Sequence, residues 1–246
     1  MDEMQALISQ MSAITISREY GSGGGEIAKR LAARLGWQLI DHEIVLRVAQ
    51  ALNITEAEAE VHDEHVEDMV TKLLASMSVV QPAIFAVAPT PLMITDARTY
   101  RIALNEVVEA AVTKGHVVIV GRGAQVVLAK RRDVLHARIV APLKRRIEYV
   151  MRRESLPKND AQTRIQVKEH DRARYLQEQY RFHPQDAHLY DLVINTGVLD
   201  LDSAVDLICV ALQHKAQRLP VTTGELGPVK GLPPYPGQPG DIRPPK

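Results

Sequence analysis

The segment SREYGSGGGEIAKRLA, residues 17–32, follows the apolar run AITIS (13–17) and opens a helical pattern over 25–35. Gly21, Gly23, Gly24 and Gly25 let backbone N–H groups approach an anion without Cβ obstruction. The N-terminus of the following helix adds unpaired donors and a positive dipole end. A plain turn rarely needs four glycines between a buried strand and a helix. Phosphate binding is therefore the expected role of Gly21, Ser22, Gly23, Gly24, Gly25 and Glu26. Two loop types fit. Gly23, Gly25 and Ala28 read as the GxGxxA of a dinucleotide site, with Asp41 ending the next strand to hold a ribose. A nucleoside-kinase cradle over 17–25 fits as well, but its GxxxxGK[ST] pattern is broken. Arg18 stands at the first Gly, Gly24 at the Lys and Gly25 at the Ser/Thr. The segment alone leaves both open.

Outward from the loop, further β-rich runs are WQLID (37–41), VVIVG (117–121), HARIV (136–140) and DLVIN (191–195). Several are nearly continuous apolar runs, as in parallel strands buried on both faces. Helical patterns separate them over 25–35, 43–52, 98–114, 142–155 and 202–217. This alternation predicts an α/β fold with a doubly wound parallel five-stranded sheet. The interval 42–116 exceeds one crossover helix and predicts a helical excursion. A second, charge-dense excursion spans 155–189. Residues 220–246 hold eight prolines and five glycines without periodicity, and 219–246 reads as a disordered tail.

The 246 residues carry 30 basic and 30 acidic side chains, so no overall field recruits nucleic acid or an anionic membrane, and anion binding must be local. The single cysteine, Cys209, excludes an internal disulfide framework and reads as a small core residue. With no signal segment and no unbroken run near the ~20 apolar residues of a membrane helix, a cytoplasmic location is expected. Nothing in the sequence points to a particular oligomeric state.

Four ordered blocks resemble the cytidylate kinase-like family, a divergent branch of the P-loop nucleoside monophosphate kinases. Residues 14–41 are similar to its first strand, phosphate loop, helix and second strand. VVIVGRGAQVVL (117–128) resembles the strand ending in Gly-Arg, VKEHDRARYLQ (167–177) the arginine-bearing lid, and YDLVINTG (190–197) the last strand and turn. The resemblance covers about 12–218. It implies a P-loop NTPase-type core, a helical monophosphate-binding insert (53–100) and a lid (155–189). It also implies transfer of the γ-phosphoryl group from ATP, with Mg²⁺, to CMP or dCMP. By the same resemblance Arg47 and Arg122 grip the acceptor, Asp191 faces its sugar, and Arg172 and Arg174 are lid arginines. Val120 and Gly123 replace the two Asp residues flanking the family's Gly-Arg pair, and His42 replaces a Ser.

Phosphoryl transfer needs positioning and positive charge more than covalent help. Arg18, inside the loop, is the expected substitute for the missing lysine; a surface arginine, or one paired with Glu19 or Glu26, is the alternative. Asp41 suits the water shell of Mg²⁺ or a proton acceptor, and equally a helix cap before Glu43. At most one or two of Arg145, Arg146, Arg152 and Arg153 are expected to reach phosphate. HDEH (62–65) reads as an acidic helix face rather than a metal site. Beside the kinase reading stand a non-catalytic nucleotide-binding protein, for which the missing lysine argues, and an NAD-binding protein.

Overall fold

The computed structural model describes residues 3–41 and 97–227. Arg47, His42, HDEH (62–65), the expected insert up to residue 96 and the tail beyond residue 227 lie outside the described residues. The elements are α1 (Glu3–Ile8), β1 (Ala13–Arg18), α2 (Gly24–Leu35), β2 (Gln38–Ile40) and α3 (Ala97–Lys114). Then follow β3 (Val117–Val120), the single turn α4 (Ala124–Val127), β4 (Val134–Val140), α5 (Leu143–Glu154) and α6 (Lys158–Tyr180). A 3₁₀ turn (Ala187–Leu189), β5 (Leu192–Asn195), α7 (Leu201–Gln217) and a 3₁₀ turn (Thr223–Glu225) complete the chain.

All five strands are parallel, in the order β2-β3-β1-β4-β5. Alternate residues of each strand face opposite layers. Ile14, Ile16, Leu135, Ala137 and Ile139 enter a core closed by α1, α2 and α7. Ala13, Val117, Ile119 and Val134 enter a second core under α3 and α4. Burying each such large aliphatic side chain stabilises the fold by ~1.5–3 kcal/mol. Cys209 is half-buried against the first core, where burial raises its thiol pKa.

On the α3 side, β1 and β4 break their apolar pattern. Thr15, Ser17, His136 and Arg138 are all buried there, with Thr15 Oγ1 2.8 Å from His136 Nδ1. The strand order also bears on the loop. A dinucleotide fold of the usual kind sets β2 directly beside β1, so that the acidic end of β2 reaches the ribose. Here β3 lies between them, paired with both, and Asp41 ends a strand two places from the loop. That separates GxGxxA from its acidic partner.

Candidate functional site

The loop between β1 and α2 is held by its own backbone and by its neighbours. Gly21 and Gly23 have φ near +80°, a region open to glycine at no steric cost. The Glu19 N–H donates to the Ile139 carbonyl (2.9 Å), and the Glu19 carboxylate accepts from the Ala141 N–H (2.9 Å). Ser22 Oγ, buried, donates to the Glu19 carbonyl at 2.9 Å. Thr196 Oγ1, just past β5, donates to the Ser22 carbonyl at 2.8 Å. These bonds fix the loop before any ligand arrives.

Two cavities flank it. The first, about 540 Å³, is bounded by Gly21, Ser22, Gly23 and Thr196 on one side and by Arg145, Arg152 and Arg153 of α5 on the other. Three of the four α5 arginines therefore line it. Arg146 turns away, donating to the Ala141 carbonyl at 3.0 Å and facing Glu19 at 3.5 Å. Glu26 lines neither cavity; it pairs with Arg30 (3.4 Å) and Arg153 (3.7 Å). Gly24 and Gly25 likewise bound neither, their place being the first turn of α2.

The second cavity, about 640 Å³, lies on the other side of the loop, over the polar strip of the sheet. Arg18, Arg122, Arg138 and Arg172 line it from β1, the end of β3, β4 and the helix α6. Arg18 runs across the ends of the strands: a Cβ on Gly24 would stand 2.6 Å from its Cβ, and a Cβ on Gly121 would collide with its guanidinium. Burial, then the charges of Arg172 and Arg122, hold its pKa well below the usual arginine range, opposed by Asp41 and Glu169. Arg18 thus belongs to the second cavity rather than to the loop-side one where a lysine at position 24 was expected to act. Its pairing with Glu19 or Glu26 does not form.

Arg122 adopts φ +60° and stacks over the Tyr175 ring at 5.7 Å. Gly123 has no room for the family's carboxylate, because a Cβ there would lie 2.5 Å from the Tyr180 ring. Val120 is buried in the apolar core. Arg172 stacks over Tyr20 at 5.2 Å and donates to the Arg18 carbonyl (3.2 Å), while Glu169 accepts from the Tyr20 N–H (2.5 Å). Burial lowers the Arg172 pKa as well. The charge-dense helix α6 therefore closes directly onto the loop.

Two expected site residues do not join. Arg174 is exposed, 3.9 Å from Asp171 and 4.0 Å from Glu178. Two residues past Arg172 is about 200° around the helix, so both cannot face the cavity. Asp191 lines neither cavity. Its Oδ2 accepts from the His136 N–H (2.8 Å) and from Lys215 Nζ (2.6 Å), a cation that the last turn of α7 brings to the start of β5. The sequence reading missed Arg138, Arg164, Lys168 and Tyr175, all in the second cavity. Arg138 was hidden in a strand reading HARIV. The others needed the phase of α6, which its length of 23 residues and weak amphipathicity did not reveal.

A glycine loop from the central strand of a parallel sheet into a helix, beside an arginine cluster, defines a P-loop NTPase-type α/β protein. The model of the cytidylate kinase-like family matches residues 13–198, and the chain belongs to that family. It is 26% identical over 199 residues to a cytidylate kinase from Ignicoccus hospitalis, covering 80% of this chain and 97% of that one. It is 31% identical over 116 residues to a cytidylate kinase from Methanopyrus kandleri, covering 44% and 60%. A 105-residue stretch is 32% identical to a uronate isomerase from Corynebacterium glutamicum, covering 43% of this chain and 20% of that protein. The chain thus spans from one fifth to nearly all of the length of these relatives. Among solved structures, an uncharacterized protein from Eubacterium ventriosum superposes with a TM-score of 0.59 at 22% identity, covering 82% of this chain and 98% of that one. Among the described residues no helix is long and apolar enough to cross a membrane.

Proposed function

We propose that this protein is a phosphotransferase that moves the γ-phosphoryl group of ATP to a nucleoside monophosphate, with CMP or dCMP the first acceptors to test. The observation that carries this reading is the pair of cavities sharing one loop as their wall. The loop glycines, Thr196 and the α5 arginines suit the donor polyphosphate. Arg18, Arg122 and Arg172 suit the acceptor phosphate and the charge that spreads over the transferring group. A guanidinium holds phosphate oxygens by parallel donors, and the Tyr175 and Tyr20 rings lie within cation–π distance of two of them.

Mg²⁺ in this reading travels with ATP. Among the described residues no three His, Cys, Asp or Glu side chains gather as a resident metal site, and Gly25 offers no hydroxyl. Such a cation keeps most of its waters and uses substrate phosphates as ligands, so one nearby carboxylate suffices. Asp41, at the end of β2, lines neither cavity but lies within electrostatic reach of Arg18, the side from which it would meet the water shell of a metal that neutralises the β and γ oxygens. The non-catalytic alternative draws on Gly24, which offers no cation to the donor side.

A thermal-shift panel with Mg-ATP, CMP, dCMP and NAD tests the assignment of ligands. Protection by Mg-ATP and by one pyrimidine monophosphate is the expected outcome. Protection by NAD alone would end the kinase reading.

A further inference from the structure

The residue that the reading above leaves unexplained is Arg138. It sits within β4, opposite Ser17 of β1, on the face that looks into the second cavity. Its relative exposure is 6%, so a full positive charge is buried at the cavity floor. No carboxylate lies within ion-pair distance of it among the described residues. Its protein contacts are neutral. Nη1 donates to Ser17 Oγ at 3.1 Å and, more weakly, to Tyr190 Oη at 3.4 Å, and the guanidinium lies 5.5 Å from the centre of the Tyr190 ring. The Tyr190 hydroxyl spends its proton on the Pro184 carbonyl at 2.9 Å, so Ser17 donates to Tyr190 and accepts from Arg138. The chain of donors runs one way and anchors one nitrogen. Nε and Nη2 keep their N–H groups without a protein acceptor among the described residues, in a side chain that lines the cavity.

A buried cation without a counter-charge is costly, and removing such a group in favour of a well-packed apolar one is often neutral or stabilising. A fold that retains it, oriented by a serine and a tyrosine, has the signature of a site prepared for an anion rather than of a structural bond. Arginine offers only donors, in a planar fork, so the complementary ligand group is a phosphate or a carboxylate. Arg122 and Arg172 reach the same cavity from its rim, and Arg138 adds to the positive field that lowers the Arg172 pKa.

We propose that Arg138 is an anion-binding residue at the floor of the second cavity, donating from Nε and Nη2 to oxygens of the acceptor's phosphate monoester. This rests on the reading of that cavity as the acceptor site. Tyr190 and Ser17 are positioning residues for it.

The test pairs stability with binding, using inorganic phosphate and CMP as probes on the full chain. Arg138→Met should melt at the wild-type temperature or above it. Its affinity for phosphate and for CMP should fall by about tenfold to hundredfold, with Mg-ATP affinity kept within about twofold. Arg138→Lys, which keeps the charge but not the fork, should recover part of the loss and serves in its place if Arg138→Met does not fold. Unchanged phosphate and CMP affinity in the variants overturns the proposal. So does a drop in melting temperature with affinity per folded molecule intact, or a wild-type protein that binds neither probe. ADP formation with some other acceptor would in that last case leave the kinase reading standing. Intact Arg138-dependent phosphate binding without any phosphoryl transfer would remove the kinase reading and keep this one.

Discussion

A Cβ built on Gly24 would lie 2.6 Å from the Cβ of Arg18, so these two positions have exchanged their side chains relative to the GxxxxGK pattern. The glycine is needed where the lysine would start, and the cation starts where the first glycine would be. Gly24→Ala should therefore destabilise the protein by ~1–3 kcal/mol through overpacking, read as a lower Tm. Trimming Arg18 to Ala does not clear the space, because its Cβ is the obstructing atom. The informative pair is Arg18→Gly with Gly24→Lys. Arg18→Gly alone should lose most turnover, and the double variant should regain part of it in initial-rate measurements. Wild-type rates in Arg18→Gly would show that Arg18 serves neither phosphate. Arg122→Ala removes a charge-assisted contact and should weaken the acceptor by ~1.5–3 kcal/mol, with ATP affinity unchanged by titration. Equal loss of ATP would put Arg122 on the donor. Of these residues, the glycines and Arg18 were legible from their place in the loop, and Arg122 from the family resemblance of the strand ending in Gly-Arg. Arg138 was not, since an arginine inside a β-rich run signals nothing until the opposite strand supplies Ser17 and the cavity above it.

At the scale of elements, the strands and the helices between them were readable from unbroken apolar runs and glycine punctuation. Chain order could not show that β3 slips between β1 and β2, which is what separates Asp41 from the loop. The second excursion was readable as charge-dense but its facing was not, because choosing between Arg172 and Arg174 takes the rotation of α6. The Lys215 contact to Asp191 comes from α7, 24 residues away. A further contact secures the ends of the two central strands. Asp133, just before β4, accepts from Ser12 Oγ at 2.5 Å and from Arg131 at 2.6 and 3.0 Å, and its carbonyl accepts the Ser12 N–H. Arg131 and Ser12 hold the Asp133 pKa down at about 2. A carboxyl with a depressed folded pKa contributes stability above its unfolded value, near 4, and loses it as pH falls through 2. Asp133→Asn should cost ~1–2 kcal/mol at neutral pH, and its difference from wild type should close between about pH 4 and 2 in denaturant titrations. A pH-independent difference would mean that packing, not the charge, is lost.

For the whole molecule, the sheet sets a single loop at the carboxyl edge of its central strand and cavities on either side of it, and α6 closes over the second. Glu169 and Arg172 bond the loop at the Tyr20 N–H and the Arg18 carbonyl, so α6 is tied directly to the loop. The proposed function makes one central claim, that a phosphoryl group passes from one cavity to the other past the loop. ADP formation from Mg-ATP, followed with each nucleoside monophosphate in turn, tests it most directly. The expected result is ADP release that depends on the acceptor and is fastest with CMP or dCMP, with equimolar diphosphate formed from the acceptor. ADP release that is absent, or the same with and without every monophosphate, would contradict it.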